Sequence, residues 1–139
     1  MIRRDFILVK IREFAAVLAK IMGFRQAASY TVSLASVDHI LMQWFGLSPQ
    51  LLDDMTPVAI ENYLQTNHHY AEAYDIIGTL LHERALSLAM LSEHKSARKM
   101  SELAQYLLSI ADERLDTFSQ DRKSRLDALH LALSDAQKN

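Results

Sequence analysis

The sequence lacks cysteine altogether and contains three glycines and two prolines among 139 residues. The absence of cysteine excludes disulfide bonds, thiol catalysis and thiolate metal ligands. The shortage of glycine and proline argues against β-sandwiches, barrels and propellers, which need many tight turns. Long apolar runs are also missing, because charged residues interrupt every candidate near the N-terminus. We therefore expect no secretion signal and no membrane span, and by default a cytoplasmic location.

The sequence is rich in residues that favour helices. Leucine contributes 21 residues and alanine 17, whereas valine and threonine contribute five each. Half of the residues are apolar, 23% are charged and the formal charge is −2, as in an ordinary folded protein. The composition predicts a single all-α domain over 1–139. We expect six or seven helices packed as antiparallel hairpins, either tetratricopeptide-like or as an irregular bundle.

Apolar residues recur every three or four positions along most of the chain, the spacing of amphipathic helices. Gly23 is expected to cap the first helix, Gly46 to end the second, and Asn67 to cap the longest one. Gly78 lies inside that long helix and is expected to mark a close helix contact. Whether the last two helices are separate stays open. The expected helix ranges are about 2–23, 27–45, 49–54, 57–65, 68–91 and, as one kinked helix or two, 97–136.

Charge is distributed unevenly along the chain. Residues 1–25 contain six basic and two acidic side chains, whereas 26–83 contain no basic and seven acidic ones. A basic first helix with Arg3, Arg4, Lys10 and Arg12 could contact nucleic acid, but an isoelectric point near 6.3 lacks the basicity usual for that role. We therefore expect no nucleic-acid partner. The unequal segments are better suited to charge pairing within the molecule or across a dimer.

One short segment has residues of the types that bind metals. His68 and Glu72 are four apart, and His69 and Glu72 are three apart, so each pair could share a cation on one helix face. A complete site needs three or four ligands, and the same residues also fit a polar helix start. The alternative function is therefore a regulatory protein that binds a metal or a small ligand through His68, His69 and Glu72, and no cofactor is expected. No phosphate-binding loop, nucleophile or facing acid/base pair is visible, so we predict a protein that is not an enzyme.

The spacing of Leu81, Ala85, Leu88, Ala97 and Ala104 resembles a tetratricopeptide-type helix hairpin, in which small residues let two antiparallel helices approach closely. Ser101 stands where that pattern prefers an aromatic residue. A weaker match to the same pattern occurs in the first hairpin, 64 residues earlier in the sequence. This distance is not a multiple of the 34-residue repeat, so a regular array is not expected.

The opening residues 1–8, with 14–19 and 41–52, resemble a small family of uncharacterised bacterial helical proteins. In that family a similar first helix precedes a tetratricopeptide-like body, and no activity or catalytic residue is assigned. The resemblance implies, by analogy of fold, an adaptor that binds a protein or peptide.

We expect the partner to bind in a groove formed by the two main hairpins, on a face along the long helix. This face should suit a basic partner, because a polar, net negative strip of Glu72, Asp75, Thr79 and His82 lies opposite the core stripe of that helix. The first helix is apolar over more than half of its circumference, which predicts a homodimer. The candidate protein-binding residues are Tyr63, Tyr70, Glu72, Tyr74, Asp75 and His82.

Overall fold

The computed structural model describes residues 4–67 and 70–138. Within these ranges the chain forms seven α-helices and no strand, which confirms the prediction of an all-α helical bundle. None of the described helices combines the length and apolar content that crossing a bilayer requires. The helices are α1 (Arg4–Gln26), α2 (Tyr30–Phe45), α3 (Pro49–Asp54), α4 (Pro57–Asn67), α5 (Ala71–Met90), α6 (His94–Arg114) and α7 (Gln120–Lys138).

Helix α5 lies at the centre of the bundle and contacts α1, α2, α6 and α7. Its predicted core stripe is buried, with Tyr74, Ile77 and Leu81 fully enclosed. The opposite side of the helix is buried at Thr79 and His82 and half-buried at Glu72 and Asp75, because α1 and α7 pack against it. The expectation of an exposed polar strip is therefore wrong for Thr79 and His82, which are 4% and 6% exposed.

Two hairpin turns use residues other than glycine. Ala28 and Ser92 have φ angles of 61° and 64°, in the left-handed region. After α1, Ser29 N–H donates to the Phe24 carbonyl and Ala28 N–H to the Arg25 carbonyl, which is a Schellman motif. The predicted cap at Gly23 is thus wrong: α1 continues through Gly23 to Gln26. Short links after α1 and after α5 make α1–α2 and α5–α6 antiparallel hairpins.

The short helices of the middle segment begin as predicted. Ser48 Oγ accepts the N–H of Leu51 at 3.1 Å, and Thr56 Oγ1 accepts the N–H of Ala59 at 3.1 Å. Asn67, however, does not cap α5. It is the last residue of α4, and its Nδ2 donates to the Tyr63 carbonyl at 3.0 Å, whereas α5 begins after Tyr70.

The two last helices are separate, since α6 ends at Arg114 and α7 begins at Gln120. The contact that Gly78 was expected to mark is present between α5 and α6. A Cβ at Gly78 would lie 2.7 Å from Leu108 Cγ and 3.2 Å from its backbone nitrogen. The absence of a side chain at this position therefore allows α5 and α6 to pack closely.

Candidate functional site

Two of the six predicted binding residues lie inside the protein. Tyr74 is fully buried, and the Arg114 guanidinium lies 5.3 Å from its ring centroid. His82 is also enclosed. Neither side chain can contact a partner in this conformation, so these two residues do not belong to an exposed surface.

Tyr63 has a structural hydrogen bond. Its hydroxyl donates to the Phe45 carbonyl at 2.7 Å, and burial raises the pKa of the phenol. This bond fixes the end of α2 beside α4, where Gly46 adopts a left-handed φ of 70°. Tyr70 is half-buried at the start of α5. The tyrosines therefore line the packing between helices rather than one open groove.

Glu72 and Asp75 are half-buried and line a groove that also includes Ile11 and Leu115. Burial raises the pKa of Asp75, although the nearby Arg122 guanidinium opposes this rise. Arg122 Nη1 lies 3.6 Å from Asp75 Oδ1. The same arginine donates to Asp112 Oδ1 and to the Thr117 carbonyl, both at 2.9 Å. This side of α5 is thus held by an arginine of the chain itself.

Of the three residues in the metal alternative, the structure describes only Glu72. His68 and His69 lie outside the described residues, so their proposed pairing with Glu72 stays a prediction. In residues 4–67 and 70–138, no three His, Asp or Glu side chains are grouped so that they could hold a metal ion.

A buried ionic cluster joins α1, α5 and α7, and sequence reasoning missed it. The Glu83 side chain is fully buried. Its Oε1 accepts from Arg25 Nε at 2.7 Å, and its Oε2 accepts from Arg125 Nη1 at 2.8 Å. Burial alone raises the pKa of Glu83, but the hydrogen bonds and charges of the two arginines outweigh it and lower that pKa. Glu83 is therefore a carboxylate that binds two helices to α5.

The same cluster contains His82 and Asp121. Arg125 Nε donates to Asp121 Oδ2 at 2.9 Å, and Arg125 Nη1 lies 3.0 Å from His82 Nδ1. Because arginine can only donate, Nδ1 accepts and the imidazole proton lies on Nε2. Two carboxylates match two guanidinium groups. The charges of the cluster balance, which indicates a structural role.

An open apolar surface lies between α1 and α2. It is a groove of about 600 Å³ whose rim includes Lys20 and His39. Towards the other end of the hairpin a second groove of about 500 Å³ adjoins it at Val17 and Ile40. We call the two together the α1–α2 furrow. The apolar residues of its larger part are Val17, Ile21, Phe24, Val32, Ala35 and Ile40.

Some of the polar groups at the furrow have partners within the chain. Ser36 Oγ donates to the Val32 carbonyl at 2.9 Å. At the far end Lys10 Nζ lies 4.9 Å from the Trp44 ring centroid and 3.2 Å from Glu13 Oε2. The larger part therefore presents mainly carbon to its surroundings, including Val32, which is 48% exposed. Exposed apolar surface of this kind marks an interaction site more often than scattered single residues do.

Comparison with known proteins found no match: no family model, no curated protein and no solved structure corresponds to this chain. The resemblances to the tetratricopeptide-type hairpin and to the bacterial helical family stay predictions.

Proposed function

We propose that the protein is a non-catalytic helical interaction module that binds the apolar face of a protein helix in the α1–α2 furrow. The observation that carries this proposal is the open apolar surface formed by two antiparallel helices. A groove between paired helices accepts an amphipathic helix through anchors spaced three or four residues apart. Helix hairpins are also the units from which tetratricopeptide-like binding modules are built.

This proposal moves the binding surface away from the face favoured by the sequence. Tyr74 and His82 are enclosed, whereas Val32 and Ala35 are exposed and lie beside half-buried Val17. Covering these side chains removes apolar area from water at a gain of about 25 cal/mol per Å² before association costs. The exposed side chains of the furrow therefore support partner binding better than the enclosed Tyr74 and His82 do.

Site-specific photo-crosslinking in cells that produce the protein naturally tests the proposal. A photoreactive amino acid replaces Ala35 in the furrow, Val58 on α4 as the control, or Glu72 on the face predicted from the sequence. Val58 suits the control because it is 61% exposed and lies outside the furrow. We expect covalent protein adducts from position 35 and none from position 58.

Other results of the crosslinking contradict the proposal. Adducts from position 72 and none from position 35 would return the binding surface to the long helix. Adducts of position 35 with lipid or a small molecule alone would exclude protein binding in the furrow. An absence of any adduct at position 35 would likewise argue against the module.

A further inference from the structure

The two charged side chains on the α1 side of the furrow have a particular spacing. Lys20 lines its larger groove and Glu13 its smaller one. They are seven residues apart, which is about two helical turns, so they lie on the same side of α1. Lys20 has no ion-pair partner among the residues that the structure describes, and Glu13 pairs with Lys10 at half-exposed positions.

This spacing suits one symmetric arrangement. The midpoint between Glu13 and Lys20 falls at Ala16–Val17, and Val17 is also where the two grooves meet. A twofold axis that passes through that point and is perpendicular to α1 makes the helix cross its copy antiparallel, which sets each Lys20 opposite Glu13 of the other copy. A parallel crossing in the same register would instead place lysine against lysine and glutamate against glutamate.

The apolar surface is centred on the same point. A twofold axis near Val17 lays the larger groove of one copy over the smaller groove of the other. The half-buried side chains of Val17, Phe24 and Ile40 and the exposed side chain of Val32 line this surface. To match this surface, an unrelated helix would need an acidic and a basic side chain two turns apart beside an apolar stripe. Helix α1 already has these three features.

We propose that the occupant of the α1–α2 furrow is a second copy of this chain, packed about a twofold axis near Val17 with Lys20 paired to Glu13 of the other copy. This inference rests on the proposed function and names its partner. The resulting interface is isologous, because the same hairpin face serves both copies.

Sedimentation equilibrium of the purified protein tests the charge pairing. We expect a dimer for the natural sequence. Lys20→Glu alone or Glu13→Lys alone should raise the dimer dissociation constant about tenfold, because each places like charges together at two symmetric positions. The double variant Glu13→Lys/Lys20→Glu should restore the dissociation constant of the natural sequence. Failure of the double variant to restore the dimer would overturn the antiparallel pairing.

A matched pair of substitutions tests the apolar surface. Val32→Asp and Val58→Asp each place a carboxylate in the first turn of a helix, where the helix dipole favours it, so both variants should fold. Circular dichroism checks this. We expect Val32→Asp to weaken the dimer about tenfold or more and Val58→Asp to leave it unchanged. A dimer that withstands Val32→Asp would place the interface elsewhere and overturn the inference.

The failures of the two proposals are distinguishable. A natural sequence that stays monomeric at every concentration overturns self-association. If position 35 then still crosslinks to a different protein, the interaction module stands and only its partner changes. If position 35 yields no protein adduct either, both proposals fall.

Discussion

At the scale of single residues, His82 shows how burial sets a charge state. It is 6% exposed, and desolvation together with the adjacent Arg125 guanidinium lowers its pKa to about 4. A neutral imidazole can accept the hydrogen bond from Arg125, whereas a protonated one would bring two cations together. The native state therefore requires His82 without its second proton.

His82 should make stability depend on pH. In the unfolded chain its pKa is near the ordinary histidine value of 6.5, so between that pH and about 4 the unfolded state binds a proton that the native state does not. The unfolding free energy should then fall as the pH falls through this window, in total by on the order of 3 kcal/mol.

Urea unfolding at a series of pH values, compared with His82→Asn, isolates this contribution. The asparagine carbonyl can still accept from Arg125 but does not titrate. We expect a shallower loss of stability in the variant, whereas His130→Asn at an exposed position of α7 should keep the natural slope. Equal slopes in the natural protein and in His82→Asn would contradict the argument.

At the scale of helices, glycine has opposite roles at two helical positions. Gly78 faces Leu108, whose side chain is fully buried and cannot easily move away. Gly23 lies within α1 with no atom within 4 Å of where its Cβ would be. The first glycine permits a close approach of helices, while the second only adds backbone freedom to the unfolded chain.

The same substitution at both glycines should therefore change stability in opposite directions. Gly23→Ala should raise the unfolding free energy by about 0.5–1 kcal/mol through helix propensity. Gly78→Ala should lower it by about 1–2 kcal/mol, because the overlap with Leu108 exceeds that gain. Denaturant unfolding measures both. A stabilising Gly78→Ala would show that α6 can shift without cost.

Helix periodicity allowed the elements to be predicted, but not all of their ends. Ser48 and Thr56 cap short helices by local hydrogen bonds, so their positions follow from nearby residues. The end of α1 could not be predicted in the same way. Ala28 takes up the left-handed conformation that glycine favours, and only the packing of α1 on α2 selects that turn.

The candidate sites were harder to predict for a related reason. A polar strip on an amphipathic helix normally faces water, but α1 and α7 cover the second face of α5. Arg25, Glu83 and Arg125 are far apart in sequence, so only the fold brings them together. Nothing in the sequence of α7 distinguishes Arg122 and Arg125 from ordinary surface residues. The apolar excess of α1, in contrast, did anticipate an open apolar surface.

At the scale of the whole molecule, charged contacts join the outer helices to α5. Three side chains are buried among those described in α7: Arg122, Arg125 and Leu129. On the α2 side, Arg84 Nε donates to Asp38 Oδ1 at 2.8 Å. With two arginines and one leucine among its buried side chains, α7 is attached to the bundle by polar as well as apolar contacts. Three of the polar contacts are made with carboxylates on α5 and α6.

Glu83 is the carboxylate on which this attachment depends most, because it binds Arg25 of α1 and Arg125 of α7 at once. Glu83→Gln keeps the size of the side chain but removes the charge, which leaves Asp121 as the remaining anion of the cluster. Removing one member of a buried ion pair costs about 3–5 kcal/mol, so the variant should lose about that much unfolding free energy.

The matched control is Glu102→Gln, which breaks the exposed Arg98–Glu102 pair, where the side chains are 46% and 43% exposed. It should cost less than about 1 kcal/mol, because water screens that pair. Hydrogen exchange gives a second measurement: amides of α7 should open more readily in Glu83→Gln, since the helix loses one of its links to α5. If both variants lose equally little stability and α7 keeps its protection, apolar packing rather than the buried cluster holds the outer helices in place.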